Sequence, residues 1–334
     1  MLLILAGVTI ATLTGDNGIL TRAQEVKNKT EQAQKDEENI LSNYEDKINE
    51  YAGIDWNEAM SNAKAPEDQK TTSKNVIGLG TNGRAVNMDL WEYTLLEDGT
   101  YSLLSVDSLD AIENKVWDNV VSGYKGSYDE EGKISGTIPN YISTDNGNNY
   151  IPVTSLSNLF RNCTELKIAP QLPSTVTDIS NTFNSTSIIE APEIPNGVTD
   201  MNSTFQNCTK LTTPPKIPNS VTNMQGTFAK CSSLEIAPAI PNGVINMYGT
   251  FQNTSIIEAP EIPNSVTNMD FTFSGCTSLT TVSNLPDSLE NMSLTFTNCI
   301  SLVIAPHIPN GVQDMYSAFW RLYQSGNSAT INSK

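Results

Sequence analysis

Six residues have side chains that suggest chemistry: Cys163, Cys208, Cys231, Cys276, Cys299 and His307. Complete disulfide pairing needs an even number of cysteines, and a zinc site needs Cys or His at close paired spacings; neither condition is met. Two glutamate pairs, Glu190 with Glu193 and Glu258 with Glu261, could form an acidic strip of the kind that binds calcium weakly, or could be decoration of a repeat. The run "GLGTNG" at 78–83 lacks the lysine of a phosphate loop and no helical pattern follows it, so it reads as a turn. A general base at His307 would need a positioned partner, and no Ser, Cys or Asp near it stands outside a repeat pattern. No catalytic residue, metal or cofactor is therefore expected, and the chemistry to look for is binding.

The cysteines belong to a period. Phenylalanines recur at 160, 183, 205, 228, 251, 273, 296 and 319, at intervals of 22 or 23 residues. Such a period marks a solenoid, in which each coil buries its apolar side against its neighbours. Three residues after the Phe comes Cys or, at 186 and 254, Thr. Three further on comes Leu166, Ile189, Leu211, Leu234, Ile257, Leu279 or Leu302. Val or Leu stands seven residues before each Phe, and Leu, Ile or Met four before. Each column should stack along the solenoid axis, about 4.8 Å per coil where strands pair. The cysteines then read as small buried hydrophobes with free thiols, because Thr replaces Cys twice without a change of phase.

Coil ends are written in turn residues. Most coils carry Ala-Pro, one variable residue, Ile or Leu with Pro, then a pair such as Asn-Gly, so a sharp bend is expected there. The two short coils read "IEAP" where others read "LKIAP" or "LEIAP", which places the missing residue just before the Ala-Pro. The variable slot holds Gln171, Glu193, Lys216, Ala239, Glu261, Asn284 and His307. It varies while its flanks repeat, and is the candidate ligand-binding column, expected on the strand side.

Outside residues 136–322 the character changes. Residues 54–135 hold three of the four tryptophans and short alternating runs such as "LWEYTLL", expected to form a small β-rich domain or cap. Residues 136–160 read as an incomplete first coil with an inserted loop. Trp320, Leu322 and Tyr323 are placed to cover the open end of the last coil, and 323–334 is a polar tail. Residues 1–13, "MLLILAGVTIATL", are apolar but shorter than the roughly 20 residues a membrane helix needs. An amphipathic helical pattern follows, up to residue 53. The net charge of −18 argues against binding nucleic acid or an anionic bilayer surface.

The order Cys-x-x-Leu, Ile/Leu-Pro-x-x-Val, Met and Phe over 153–320 resembles the BspA-type leucine-rich repeat of bacterial surface proteins. That resemblance implies an α+β chain with a right-handed solenoid, one short parallel strand per coil and irregular or short helical returns. It also implies surface display and adhesion to a protein or glycan of a host or neighbouring cell, without enzyme activity. The segment "LLILAGVTIATLTGDNGILTRAQEVKNKTEQAQ" resembles the N-terminal helix of type IV pilin-like proteins. It implies a stem helix over 1–53, anchored in a membrane where the native chain is longer; the Lys-rich leader and cleavage site of that family are missing here. Two roles stay open: a binding protein held on a stem, or a filament subunit whose solenoid is a spacer. A packing of residues 1–13 onto the domain is the alternative to the stem.

Overall fold

The computed structural model describes residues 76–80, 83–105, 108, 111 and 122–321. The pilin-like stem and the polar tail lie outside these residues.

Two regions build the described fold, a sheet and a stack of coils. The sheet has strands β1 (Ile77–Leu79), β2 (Ala85–Val86), β3 (Thr94–Leu95), β4 (Tyr101–Ser102), β5 (Tyr141–Ser143) and β6 (Ile151–Ser155), in the order β2-β1-β5-β6-β4-β3. All neighbours are antiparallel except β4 and β6, which run parallel. Between β1 and β2 the Gly83 amide donates a hydrogen bond to the Gly80 carbonyl at 2.9 Å. The sheet takes strands from both sides of residue 135, and β5 with β6 forms a hairpin around the loop expected inside the first coil. Ser155 at the end of β6 bridges Asp178 in parallel, which hands the sheet over to the coils.

Each later coil pairs with the next through a parallel bridge in one column, from Asp178 through Asp200, Asn223, Asn246, Asn268 and Asn291 to Asp314, and two pairs of coils add a second, Glu190 to Thr213 and Glu258 to Thr281. The expected short strand is thus a single bridge residue. A longer contact follows it. In one coil the amides of Met201, Ser203, Phe205 and Asn207 donate to the carbonyls of Asn223, Gln225, Thr227 and Ala229 of the next, at 2.7–3.0 Å. The intervening amides of Thr204, Gln206 and Cys208 fold back three residues within the coil. This alternation requires left-handed backbone two residues before and two residues after each Phe. Asn181 and Ser185, Ser203 and Asn207, and Gly226 and Lys230 all have φ between 53 and 63°. Asn and Gly suit these positions because they visit positive φ at least cost.

Inside the coils the columns stack as expected. Phe160 to Phe319 form one ladder, with ring centroids 5.5–5.8 Å apart and planes within 15° of parallel. The Val column and the Met/Ile column are fully buried from Val153 to Met292. At the start of the ladder, Trp91 meets Phe160 edge-on at 6.4 Å and Tyr124 meets it at 5.9 Å. Trp91 and Tyr124 therefore cover the apolar end that a first coil would otherwise expose. At the far end Trp320 is half exposed, with the Arg321 guanidinium 4.4 Å from its ring centroid. Leu322 and Tyr323, expected with Trp320 to cover this end, lie outside the described residues.

Two local expectations need correction, while the bend expected at each Asn-Gly pair is present, closed by bonds such as that from the Val198 amide to the Pro195 carbonyl at 3.1 Å. The buried member of the Leu column in the short coils is Ile188 or Ile256, while Ile189 and Ile257 are 55% and 46% exposed. The missing residue therefore lies between Thr and Ile, where the long coils close a turn from the Leu amide to the Cys carbonyl, as in Leu166 to Cys163. The glycines of the Asn-Gly pairs, Gly197, Gly243 and Gly311, do not have positive φ; an added Cβ would stand 2.9–3.3 Å from a carbonyl of the preceding coil. Close approach, not a left-handed turn, explains them. Where Ser or Thr takes that place its hydroxyl donates to the Val carbonyl one coil back, as Ser220 does to Val198 at 2.6 Å. The second correction concerns the variable column and follows below.

Candidate binding surface

All seven residues of the variable column, Gln171, Glu193, Lys216, Ala239, Glu261, Asn284 and His307, are exposed. Each follows a proline or, at Asn284, a serine, and precedes an Ile or Leu that packs on the core. The column is not on the strand side. The continuous parallel ladder runs through Asp178 to Asp314, and the bridges nearest the variable slot are only two, Glu190 to Thr213 and Glu258 to Thr281. Prolines around the slot supply no amide donors, which prevents a ladder there.

The exposed column beside it is more regular. Two residues after the buried Leu or Ile stand Ile168, Glu190, Thr213, Ile236, Glu258, Thr281 and Ile304, all exposed. The order Ile, Glu, Thr recurs every three coils, a period of 68 residues. Ile189, Ile257 and Val303 stand beside it and are also exposed, so this flank shows apolar surface interrupted by carboxylates. Glu190, Glu193, Glu235, Glu258 and Glu261 outnumber Lys167 and Lys216 on it. Related coils stand three ring-to-ring steps of 5.6–5.7 Å apart along the Phe ladder, roughly 17 Å.

Two polar columns escape a search for apolar periodicity. The first is the buried Thr that precedes six of the eight phenylalanines, visible in "NTF", "STF" and "GTF". Its hydroxyl donates to the carbonyl of the Ile, Leu or Met one coil back at 2.7–3.0 Å, from Thr182 to Thr295. The second is the Asp or Asn of the bridge column. Asp178, Asp200, Asn223, Asn246 and Asn268 each accept the amide two residues on, and Asn246 also donates to Asn223 across the coils at 3.1 Å. Burial raises the pKa of Asp270 beside this column, with the nearby Asp314 charge adding to it; the Ser293 hydroxyl holds that of Asp314 down.

The buried cysteines offer no nucleophile. All five are free; Cys163 is half-buried and the other four are buried. Burial pushes the thiols of Cys208 and Cys276 up to about 11, away from the nucleophilic thiolate. Among the described residues no three His, Cys, Asp or Glu side chains converge as metal ligands would. In the cap, a cavity of about 390 Å³ is lined by Met88, Trp91, Glu92, Tyr93 and Lys125, with Lys125 paired to Glu92 at 2.8 Å. No described helix is long and apolar enough to cross a membrane.

Comparison with known proteins agrees with the repeat. No curated protein matches the chain. A leucine-rich repeat protein from Bacteroides ovatus ATCC 8483 is 21% identical over 67% of this chain and 53% of its own, with a TM-score of 0.37. The chain thus spans about half the length of that protein. A leucine-rich cell surface protein from Faecalibacterium prausnitzii A2-165 is 17% identical over 73% of this chain and 97% of its own, with a TM-score of 0.17. Residues 151–248 and 244–334 match the BspA type leucine rich repeat region, more than half of the chain. The matched residues are those of the stacked coils, and the chain belongs to the BspA-type leucine-rich repeat family.

Proposed function

We propose that the chain is a non-enzymatic, ligand-binding surface protein whose partner docks along the flank that carries the Ile, Glu, Thr column and the variable column. The observation that supports this most is the three-coil order of exposed residues. Across related coils the variable slot changes from Gln171 to Ala239 to His307, whereas Ile168, Ile236 and Ile304 stay alike while exposed. An isoleucine with this much surface in water gains little from the core, so its return at every third coil points to a contact outside the chain. A partner that presents aliphatic and Lys or Arg side chains to this acidic flank is the complement. Membership in a surface-protein family supports display at the cell surface; a protein or glycan of a host or neighbouring cell is the partner this reading calls for. Anchoring through residues 1–13, and a filament role with the coils as spacer, rest on the sequence of that segment alone.

Beads coated with the purified protein and offered to cultured epithelial cells test this. Replacing Glu190, Glu193, Glu258 and Glu261 together by Gln should reduce attachment roughly tenfold, and added salt should do the same to the unaltered protein. The melting temperature should not fall, since all four side chains are exposed. Equal attachment by the two proteins would remove the flank as the contact.

A further inference from the structure

Backbone dihedrals single out one aromatic side chain. The left-handed position before each column Phe is held by Asn, Ser or Gly in most coils, but by Phe271 and Leu294 in two adjacent ones, at φ 58 and 57°. Left-handed backbone is costly for a residue with a Cβ, and a phenyl ring offers no local hydrogen bond in return. Strain kept at a bulky residue points to a use for its side chain.

The strained backbone sets the Phe271 ring beside that of Tyr248, one coil back, with centroids 5.4 Å apart and planes tilted by 47°. Tyr248 is 38% exposed and Phe271 half-buried, so neither ring belongs to the core ladder. In the column of Tyr248, the preceding coil carries Gln225 and the two following carry Asp270 and Ser293. Asp270 accepts the Ser293 amide on Oδ1 at 2.7 Å. Two rings are thereby flanked by an amide and a carboxylate, an arrangement with both an apolar face and hydrogen-bonding edges.

We propose that Tyr248 and Phe271 form a platform for a neutral saccharide chain. A sugar ring has one face of C–H groups and a rim of hydroxyls. The C–H face suits the negative face of an aromatic ring, and the rim suits Gln225, Asp270 and the Tyr248 hydroxyl. A purely apolar partner would cover Asp270 and Gln225 without replacing their water. An anionic polymer is disfavoured, because the segments of this strip, 222–226, 245–249, 267–271, 290–294 and 313–317, hold Asp270, Glu290 and Asp314 and neither Lys nor Arg. The platform uses different columns from the flank and does not depend on it.

Electrophoresis of the whole protein through native gels that contain glycogen, mannan, galactomannan or a mixed-linkage β-glucan tests the platform, with serum albumin as the mobility control. At least one polysaccharide should retard the protein. Tyr248→Ser and Phe271→Gly should each abolish the retardation, and Phe271→Gly should not lower the melting temperature, because glycine fits φ 58° without strain. The flank variant with four Gln should still be retarded, which separates failure here from failure there. Passage of the unaltered protein through all four gels at control mobility would overturn the platform. So would retardation that survives Phe271→Gly, loss of retardation in the flank variant, or a lower melting temperature in Phe271→Gly.

Discussion

The thiol of Cys231 donates to the carbonyl oxygen of Phe205, one coil back, at 3.0 Å. Cys208, Cys276 and Cys299 make the same bond, and Thr186 and Thr254 in that column bond the carbonyl of their own column Phe instead. The column therefore selects a small side chain that carries one donor, which both Cys and Thr provide. Among the five thiols only Cys163 is half-buried. Titration of the native protein with a disulfide reagent at pH 8 should modify one thiol, and denaturant should release the other four. More than one fast native thiol would contradict the packing.

Buried thiols also set an alkaline limit. Their folded pKa lies above the unfolded value, so the stability they contribute is fully present below that value. For Cys208 and Cys276 it is lost as pH rises from about 9 to about 11. Each shift of about two units corresponds to roughly 3 kcal/mol. Denaturant midpoints should fall steeply from pH 8.5 to 10.5. A variant with Cys208→Thr and Cys276→Thr should show a shallower fall; an unchanged slope would assign the loss to other groups.

The threonine before each Phe has its own test. Thr227 donates to the Met201 carbonyl, which also accepts the Thr204 amide, so its removal leaves that carbonyl with one partner. Thr227→Val keeps the shape and should cost about 1 kcal/mol, measured as a lower denaturant midpoint. Thr227→Ser keeps the donor and should cost no more than the lost methyl.

Periodicity reveals residue types at a spacing, and what it recovers and misses follows from that. The Phe, Val and Met columns are legible because their residues are apolar in every coil and buried for that reason. The seven variable residues are legible as an exposed column because an apolar residue and usually a proline flank each one. In "SIIEAP" two apolar residues stand together, so type alone does not say that Ile188 faces in and Ile189 out. The cap contact of Trp91 with Phe160 joins residues far apart in sequence, and no local pattern encodes it. The strand side fell elsewhere because the bridge column is Asp or Asn, residues that ordinary strand propensity disfavours.

Left-handed positions give a further prediction. At Gly249, φ is +59° and an added Cβ would meet nothing within 4 Å, so any cost of Gly249→Ala is conformational. The expected loss is about 1 kcal/mol. Gly249→Asn should cost less, because Asn occupies the same position at 158 and 181. At Gly243 the backbone is not left-handed, but an added Cβ would stand 2.9 Å from the Asn219 carbonyl, so Gly243→Ala and Gly243→Asn should both destabilise. The order of the two Asn variants by thermal melting distinguishes a demand for φ from a demand for space.

Position along the ladder should govern the cost of losing a ring. Phe228 is fully buried and stacks on Phe205 at 5.6 Å and on Phe251 at 5.7 Å, whereas Phe319 is half-buried and stacks on Phe296 at 5.5 Å. Phe228→Ala leaves a cavity between two rings and should cost about 3–5 kcal/mol. Phe319→Ala removes a ring already partly in water and should cost roughly 1–2 kcal/mol. At the other end Phe160 is covered by Trp91 and Tyr124, so Phe160→Ala should resemble the interior change rather than the terminal one. Denaturation of the three variants by urea orders them. If Phe160→Ala is as mild as Phe319→Ala, the Trp-rich region does not hold the start of the ladder, and the cap would have to be treated as a separately folding unit.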